Sequence, residues 1–176
     1  MTNIEQLTRP IYDGIVEACL RIVGMDGQHP DVSMTDTSYV LPGRTCWVKT
    51  GTADYAFWVG INGPRLFFIA WMADITPEKA KDVFKFCFGG AEKVGWQVNY
   101  EPLEGGGVSV WANCMTDRDK PLTEPMSGTG ISTPPRYVLT DDGLFWVTDI
   151  AMMVQSWIRT SERHNIKCHE KEPAPL

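Results

Sequence analysis

Five small groups of side chains in this sequence are of types that chemistry could use. Met126-Ser-Gly-Thr-Gly-Ile-Ser-Thr133 is rich in glycine and hydroxyls, so its backbone N–H groups and side chains could wrap a small anion. Ser127, Gly128, Thr129 and Gly130 form the centre of that loop. It lacks the lysine and the spacing of a P-loop, and no strand runs directly into it. Cys46 or Cys114 with His29 has the residue types of a nucleophile and its base. A nucleophilic thiol needs an adjacent base and an electropositive setting, which nothing in the sequence supplies. His164, Cys168 and His169 carry donors for a soft metal, but they are only three ligands with no fourth close in sequence. Asp117 and Asp119 begin like a calcium loop, and Lys120-Pro121 then stands where ligands and glycine are needed. Asp141-Asp142 reads as helix capping, since carboxylates are favoured at a helix N-terminus. The sequence therefore predicts no metal, no cofactor and no catalytic residue.

The elements that would position such groups are more legible. Tyr55–Ile61 and Leu66–Ala73 are aromatic and β-branched runs that suit strands. Between them Asn62-Gly63-Pro64-Arg65 marks a hairpin, with Asn-Gly taking the two turn positions at positive φ. Tyr55, Phe57, Val59 and Ile61 line one face of this hairpin with Leu66, Phe68 and Met72, while Trp58, Phe67, Ile69 and Trp71 line the other. An antiparallel sheet with one wet face should alternate apolar with polar. Here both faces are apolar, so both should be covered. Thr76 then caps a helix that Pro77 opens and Gly95 ends, with Ala80, Val83, Phe84, Cys87, Phe88, Ala91 and Val94 at helical spacing. Gly89-Gly90 within it reads as close packing against the sheet.

Around this centre the sequence predicts a helix from Thr8, striped by Ile11, Ile15, Ala18, Cys19 and Ile22 and stopped by Gly24. Residues Met25–Thr37 read as a polar connection, and Tyr39–Leu41 with Thr45–Thr50 as one strand broken by Pro42-Gly43. A second hairpin pairs Trp96, Val98 and Tyr100 with Val108, Val110, Ala112 and Cys114 across Gly105-Gly106-Gly107. Residues 116–136 read as a long loop, functional or disordered. A last helix, capped by Thr140 or Asp141, carries Leu144, Val147, Ile150, Ala151, Val154 and Ile158. The expected organisation is a single α+β domain over residues 1–163 and a polar, frayed tail over 164–176.

Composition narrows the function classes. The 176 residues carry a net charge of −6, and residues 101–150 hold eight Asp/Glu against three Lys/Arg. Phosphate neutralisation needs a basic surface, so nucleic-acid binding is not expected. A cationic partner near the acidic segment, or mimicry of an acidic partner, is compatible with it. No apolar run approaches the roughly 20 residues that cross a bilayer, and the first residues do not read as a secretory signal. The five cysteines have no framework spacing, which points to reduced thiols in a cytoplasm.

The order helix, three strands, helix, two strands, helix, with the Asn62-Gly63 hairpin, the Thr76–Val94 helix and the paired strands 96–100 and 108–114, resembles the type III secretion chaperone-like fold. That fold also serves a family of bacterial sensory-transduction regulators. The resemblance covers roughly residues 8–160. It implies an antiparallel sheet with helices packed on it, and a homodimer that holds a segment of another protein without chemistry. The doubly apolar hairpin agrees, with Trp58, Phe67, Ile69 and Trp71 as the expected partner-binding residues. The alternative is a small-molecule-binding domain or enzyme with a pocket under loop 116–136.

Overall fold

The structure is a computed structural model, and it describes residues 3–23, 31–38, 42–50, 53–126 and 136–168. Helix α1 (Asn3–Val23) leads into strands β1 (Asp31–Ser38), β2 (Pro42–Lys49), β3 (Asp54–Asn62) and β4 (Arg65–Met72). Short helices α2 (Pro77–Val83) and α3 (Phe88–Lys93) follow, then β5 (Gln97–Pro102) and β6 (Val108–Met115). A small ribbon of β7 (Thr123–Pro125) and β8 (Tyr137–Leu139) precedes α4 (Asp141–Arg163). The first six strands form one antiparallel sheet in the order β1-β2-β3-β4-β6-β5. The class is thus α+β, with four described helices on an antiparallel sheet.

The central hairpin forms where the aromatic runs predict it, with its turn shifted by one residue. Asn62 pairs with Arg65, so the loop is Gly63-Pro64 rather than Asn62-Gly63. Gly63 takes φ +57° and proline fixes the next φ negative, the pattern of a type II′ turn. After β4, the Thr76 hydroxyl accepts the Lys79 N–H at 3.2 Å, as an N-cap should. The expected single helix is interrupted at residues 84–87, bridged by the Phe88 N–H to Phe84 carbonyl bond. Gly95 closes α3 in a Schellman motif: Gly95 N–H bonds to Glu92 and Trp96 N–H to Ala91, with Gly95 at φ +105°.

Gly89 and Gly90 do not serve close packing, because a Cβ at either would meet nothing within 4 Å. Residues 31–37 are not a connection but lie in the edge strand β1, so the first hairpin pair is complete before the aromatic one begins. Helix α1 starts before Thr8 and carries Pro10 inside it. Thr140 is the α4 cap, accepting the Gly143 N–H at 3.0 Å and donating to the Pro121 carbonyl at 2.6 Å. Leu144, expected on the inner stripe of α4, is exposed, and Trp157 is buried instead. Residues 164–168, expected to begin the frayed tail, continue the fold: Cys168 bridges Met72, and Ala73 N–H bonds to Lys167.

All four helices contribute to one core. Ile11 and Ile15 from α1, Ala80 from α2, Phe88 and Ala91 from α3, and Val147, Val154 and Trp157 from α4 pack with Cys46, Val48, Tyr55, Phe57, Phe68 and Val110. Trp157 stands edge-on to Tyr55 and Phe57, at 5.6 and 6.5 Å between ring centroids. Trp96 ties the start of β5 to α4 through its indole N–H on Asp149, at 2.8 Å. The terminal helices α1 and α4 therefore lie on the same side of the sheet as α2 and α3. None of them reaches the side that carries Trp58.

Candidate functional site

Strand pairing decides which side chains share the helix-free side. Thr45, Trp58, Ile69, Trp111 and Asn99 lie in one row across β2, β3, β4, β6 and β5. The adjacent row is Gly43, Gly60, Phe67, Asn113 and Gln97. All four predicted partner-binding residues, Trp58, Phe67, Ile69 and Trp71, meet here in a second apolar cluster, joined by Leu103 and Trp111. Leu103 reaches it because the Gly105-Gly106-Gly107 turn holds three successive positive φ angles and folds residue 103 back, with Leu103 N–H on Gly107 at 3.0 Å.

The centre of this cluster is closed within the chain. Trp58, Ile69 and Trp71 are 2%, 1% and 5% exposed, whereas Phe67 and Trp111 remain half-buried. Trp58 lies flat on the paired glycines of β2 and β3. A Cβ at Gly43 or at Gly60 would fall 2.2 Å from its ring, so each glycine is there to let the indole down onto the backbone. By alternation Trp47 shares this side, and Asp31, Lys49, Asp54, Arg65, Gln97, Asn99 and Glu101 surround it, all exposed. An aromatic centre inside a polar rim of both signs is the composition of a protein–protein contact. Leu103 and Trp111 are the members that sequence reading missed. Alternation with Ser109 and Asn113 was the signal for Trp111, but only the β4–β6 register brings it beside Ile69.

A concave site lies elsewhere, at the end of the hairpin. Leu7 and Ile11 of α1, Ile61 and Pro64 of the β3–β4 tip, and Pro121 and Leu122 line a cavity of about 540 Å³ with Arg118 and Lys120 at its edge. Its wall is pinned by Thr116, whose N–H and hydroxyl both bond the Pro64 carbonyl at 2.7 Å. This cavity is apolar and lies against the first part of the 116–136 stretch. That stretch is also less irregular than expected, since β7 lies within it and pairs with β8 just beyond its end. Ser127, Gly128, Thr129 and Gly130 lie outside the described residues, as do His29 and His169.

The remaining chemical groups are placed apart. Cys46 is fully buried, and burial together with the neighbouring Cys19 pushes its thiol well above the ordinary range. Burial raises Cys114 to about 12, and Cys19, Cys87 and Cys168 likewise. Thiols held protonated in an apolar core are poor nucleophiles. His164 caps the C-terminus of α4 in solvent, while Cys168 is buried against Ser161. Asp117 accepts the Asp119 N–H at 2.9 Å in a local turn, and Asp141 and Asp142 occupy the first turn of α4. Among the described residues no group of His, Cys, Asp and Glu side chains is arranged to hold a metal ion. Nor does any described helix have the length and apolarity to cross a membrane. Comparison with models of known families, with curated proteins and with solved structures gives no match to this chain.

Proposed function

We propose that this protein is a binding module without chemistry of its own, which associates with a second copy of itself through the helix-free side of the sheet and holds a protein segment. One observation carries the reading. The chain places every described helix on one side of a sheet whose other side is apolar at its centre. Trp47, Phe67 and Trp111 are the half-buried aromatics that a partner would meet there, above the packed Trp58, Ile69 and Trp71. The rim supplies Lys49 and Arg65 alongside Asp54 and Glu101, so two copies related by a twofold axis can match opposite charges. Within this reading the fold is of the type III secretion chaperone-like kind, a proposal that rests on the central hairpin, the helical segment after it and the β5–β6 pair, although four strands rather than the expected three precede that segment, and the location is cytoplasmic.

The experiment is sedimentation velocity on the unmodified protein and on Phe67→Asp with Trp111→Asp. These side chains are half-exposed, so the chain should still fold, which far-UV circular dichroism checks in the same sample. A dimer in the unmodified protein and a folded monomer in the variant are expected. Equal assembly in both samples would remove the support for this surface.

The cavity at the hairpin tip favours a second reading, in which a small apolar ligand with an anionic group enters between α1 and Leu122 and meets Arg118 or Lys120. A thermal-shift screen of aliphatic and aromatic carboxylates, repeated on Ile61→Trp to fill the cavity, tests it. Stabilisation that disappears in the filled variant supports the reading. Stabilisation that persists, or none at all, counts against it.

A further inference from the structure

We propose that the groove between α2 and α4, on the helical side of the molecule, docks an acidic amphipathic helical segment of another protein. The groove has a volume of about 680 Å³ and gathers Lys79 and Lys85 from α2 and the turn after it, and Arg159 and Arg163 from α4. Asp82 is the one carboxylate in its described lining, beside Lys79, Lys85 and Arg163. This local excess stands against a net charge of −6 for the whole chain.

Two large apolar side chains lie in the same groove and face solvent. Phe86 is 86% exposed and Met152 56%. It is the grouping of Phe86 with Met152 beside the cations, not one exposed ring, that marks a contact surface. Lys85 holds its ammonium 5.3 Å from the Phe86 ring centroid, which keeps charge and ring together at one edge. Along α4, Phe145, Met152 and Arg159 are spaced seven apart and so share one outward line, with Phe145 also exposed. Apolar side chains and cations thus share this groove.

Shape and charge together select the occupant. A flat membrane surface cannot enter a concave groove, whereas a single helix can. A partner helix with one apolar stripe would lay it on Met152 and Phe86, with its carboxylates toward Lys79, Lys85 and Arg163. This inference does not depend on the helix-free side, because the two surfaces lie on opposite sides of the sheet.

The test uses fluorescence anisotropy with a labelled helical peptide of leucine, phenylalanine, glutamate and alanine in that pattern. Its partner probe carries lysine in place of glutamate. The intact protein is compared with Lys85→Glu/Arg159→Glu and with Phe86→Ser, all at exposed positions, with thermal melts to confirm folding. The expected result is saturable binding of the acidic peptide that weakens at high salt and falls about tenfold or more in the charge-reversed variant. Phe86→Ser should weaken binding several-fold. Absence of binding at low salt, equal binding of the lysine peptide, or affinity unchanged in both variants would overturn the proposal. So would tighter binding to phosphatidylglycerol vesicles than to the peptide with the same sensitivity to Lys85→Glu/Arg159→Glu, which would assign the groove to a membrane instead.

Discussion

Replacing Gly60 with alanine should disturb the helix-free side of the sheet from beneath. The new methyl carbon would lie 2.2 Å from the Trp58 ring, against 3.4 Å for ordinary contact, so the indole must rise by roughly 1.2 Å. It cannot slide sideways, because Ile69 and Trp71 pack against it and Gly43 lies under its other edge. Overpacking of this kind costs about 1–3 kcal/mol. With Trp58→Ala already in place the obstruction is gone, and alanine in a strand is then preferred to glycine by about 0.5–1 kcal/mol. Gly60→Ala should therefore destabilise the natural background and be neutral or mildly stabilising in the Trp58→Ala background. The coupling between the two changes is then about 1.5–4 kcal/mol. Urea denaturation of the four proteins, followed by far-UV circular dichroism, measures it. If Gly60→Ala costs the same in both backgrounds, the indole does not rest on the glycine pair and the packing described for this face is wrong.

Three further outcomes follow from other parts of the molecule. Gly89→Ala and Gly90→Ala should each stabilise the protein by about 0.5–1 kcal/mol, seen as a raised urea midpoint, since α3 leaves both positions open. Gly143→Ala should do the opposite, losing at least about 2 kcal/mol and loosening the β7–β8 ribbon in hydrogen exchange, because its Cβ would collide with the Leu122 carbonyl. Cys19, Cys87 and Cys168 have folded-state values raised by burial from 9.0 to about 12, and burial raises Cys46 well above 9.0. A group raised in this way supports the fold below its unfolded value, and that support is lost as the pH climbs from 9 towards 12. Each thiol then removes about 1.4 kcal/mol per pH unit. Urea midpoints should fall steeply between pH 8 and pH 10.5 under reducing conditions. A flat profile, with fast reaction of the native thiols towards a disulfide reagent, would contradict their burial.

The sequence is legible where one strong periodicity governs a segment. Alternation placed Trp58, Phe67, Ile69 and Trp71 on one side of the hairpin, and they share that side in the structure. Thr76 and Gly95 bracket the helical segment because caps are local chemistry. Periodicity does not register the break at 84–87, since Phe84, Cys87, Phe88 and Ala91 point inward across it just as they would in one helix. The strand over Asp31–Ser38 is hidden for a different reason. It lies at the sheet edge, and Asp31 and Ser33 face solvent while Val32 and Met34 lean on the core, so its polar composition reads as a turn. The β7–β8 pair rests on contacts across residues 126–136 that no local pattern encodes. Nor could alternation reveal that Trp58 would be buried, because that depends on Gly43 of a neighbouring strand lying opposite Gly60. The groove beside Phe86 combines residues 79–86 with residues 152–163, and tertiary packing alone brings them together.

The most direct test of the account is the solution mass of the reduced protein by size-exclusion chromatography with light scattering, at two concentrations. Self-association through the helix-free side gives a mass near twice the 19.7 kDa chain at both. A chain of 19.7 kDa at both concentrations would contradict self-association through the helix-free side.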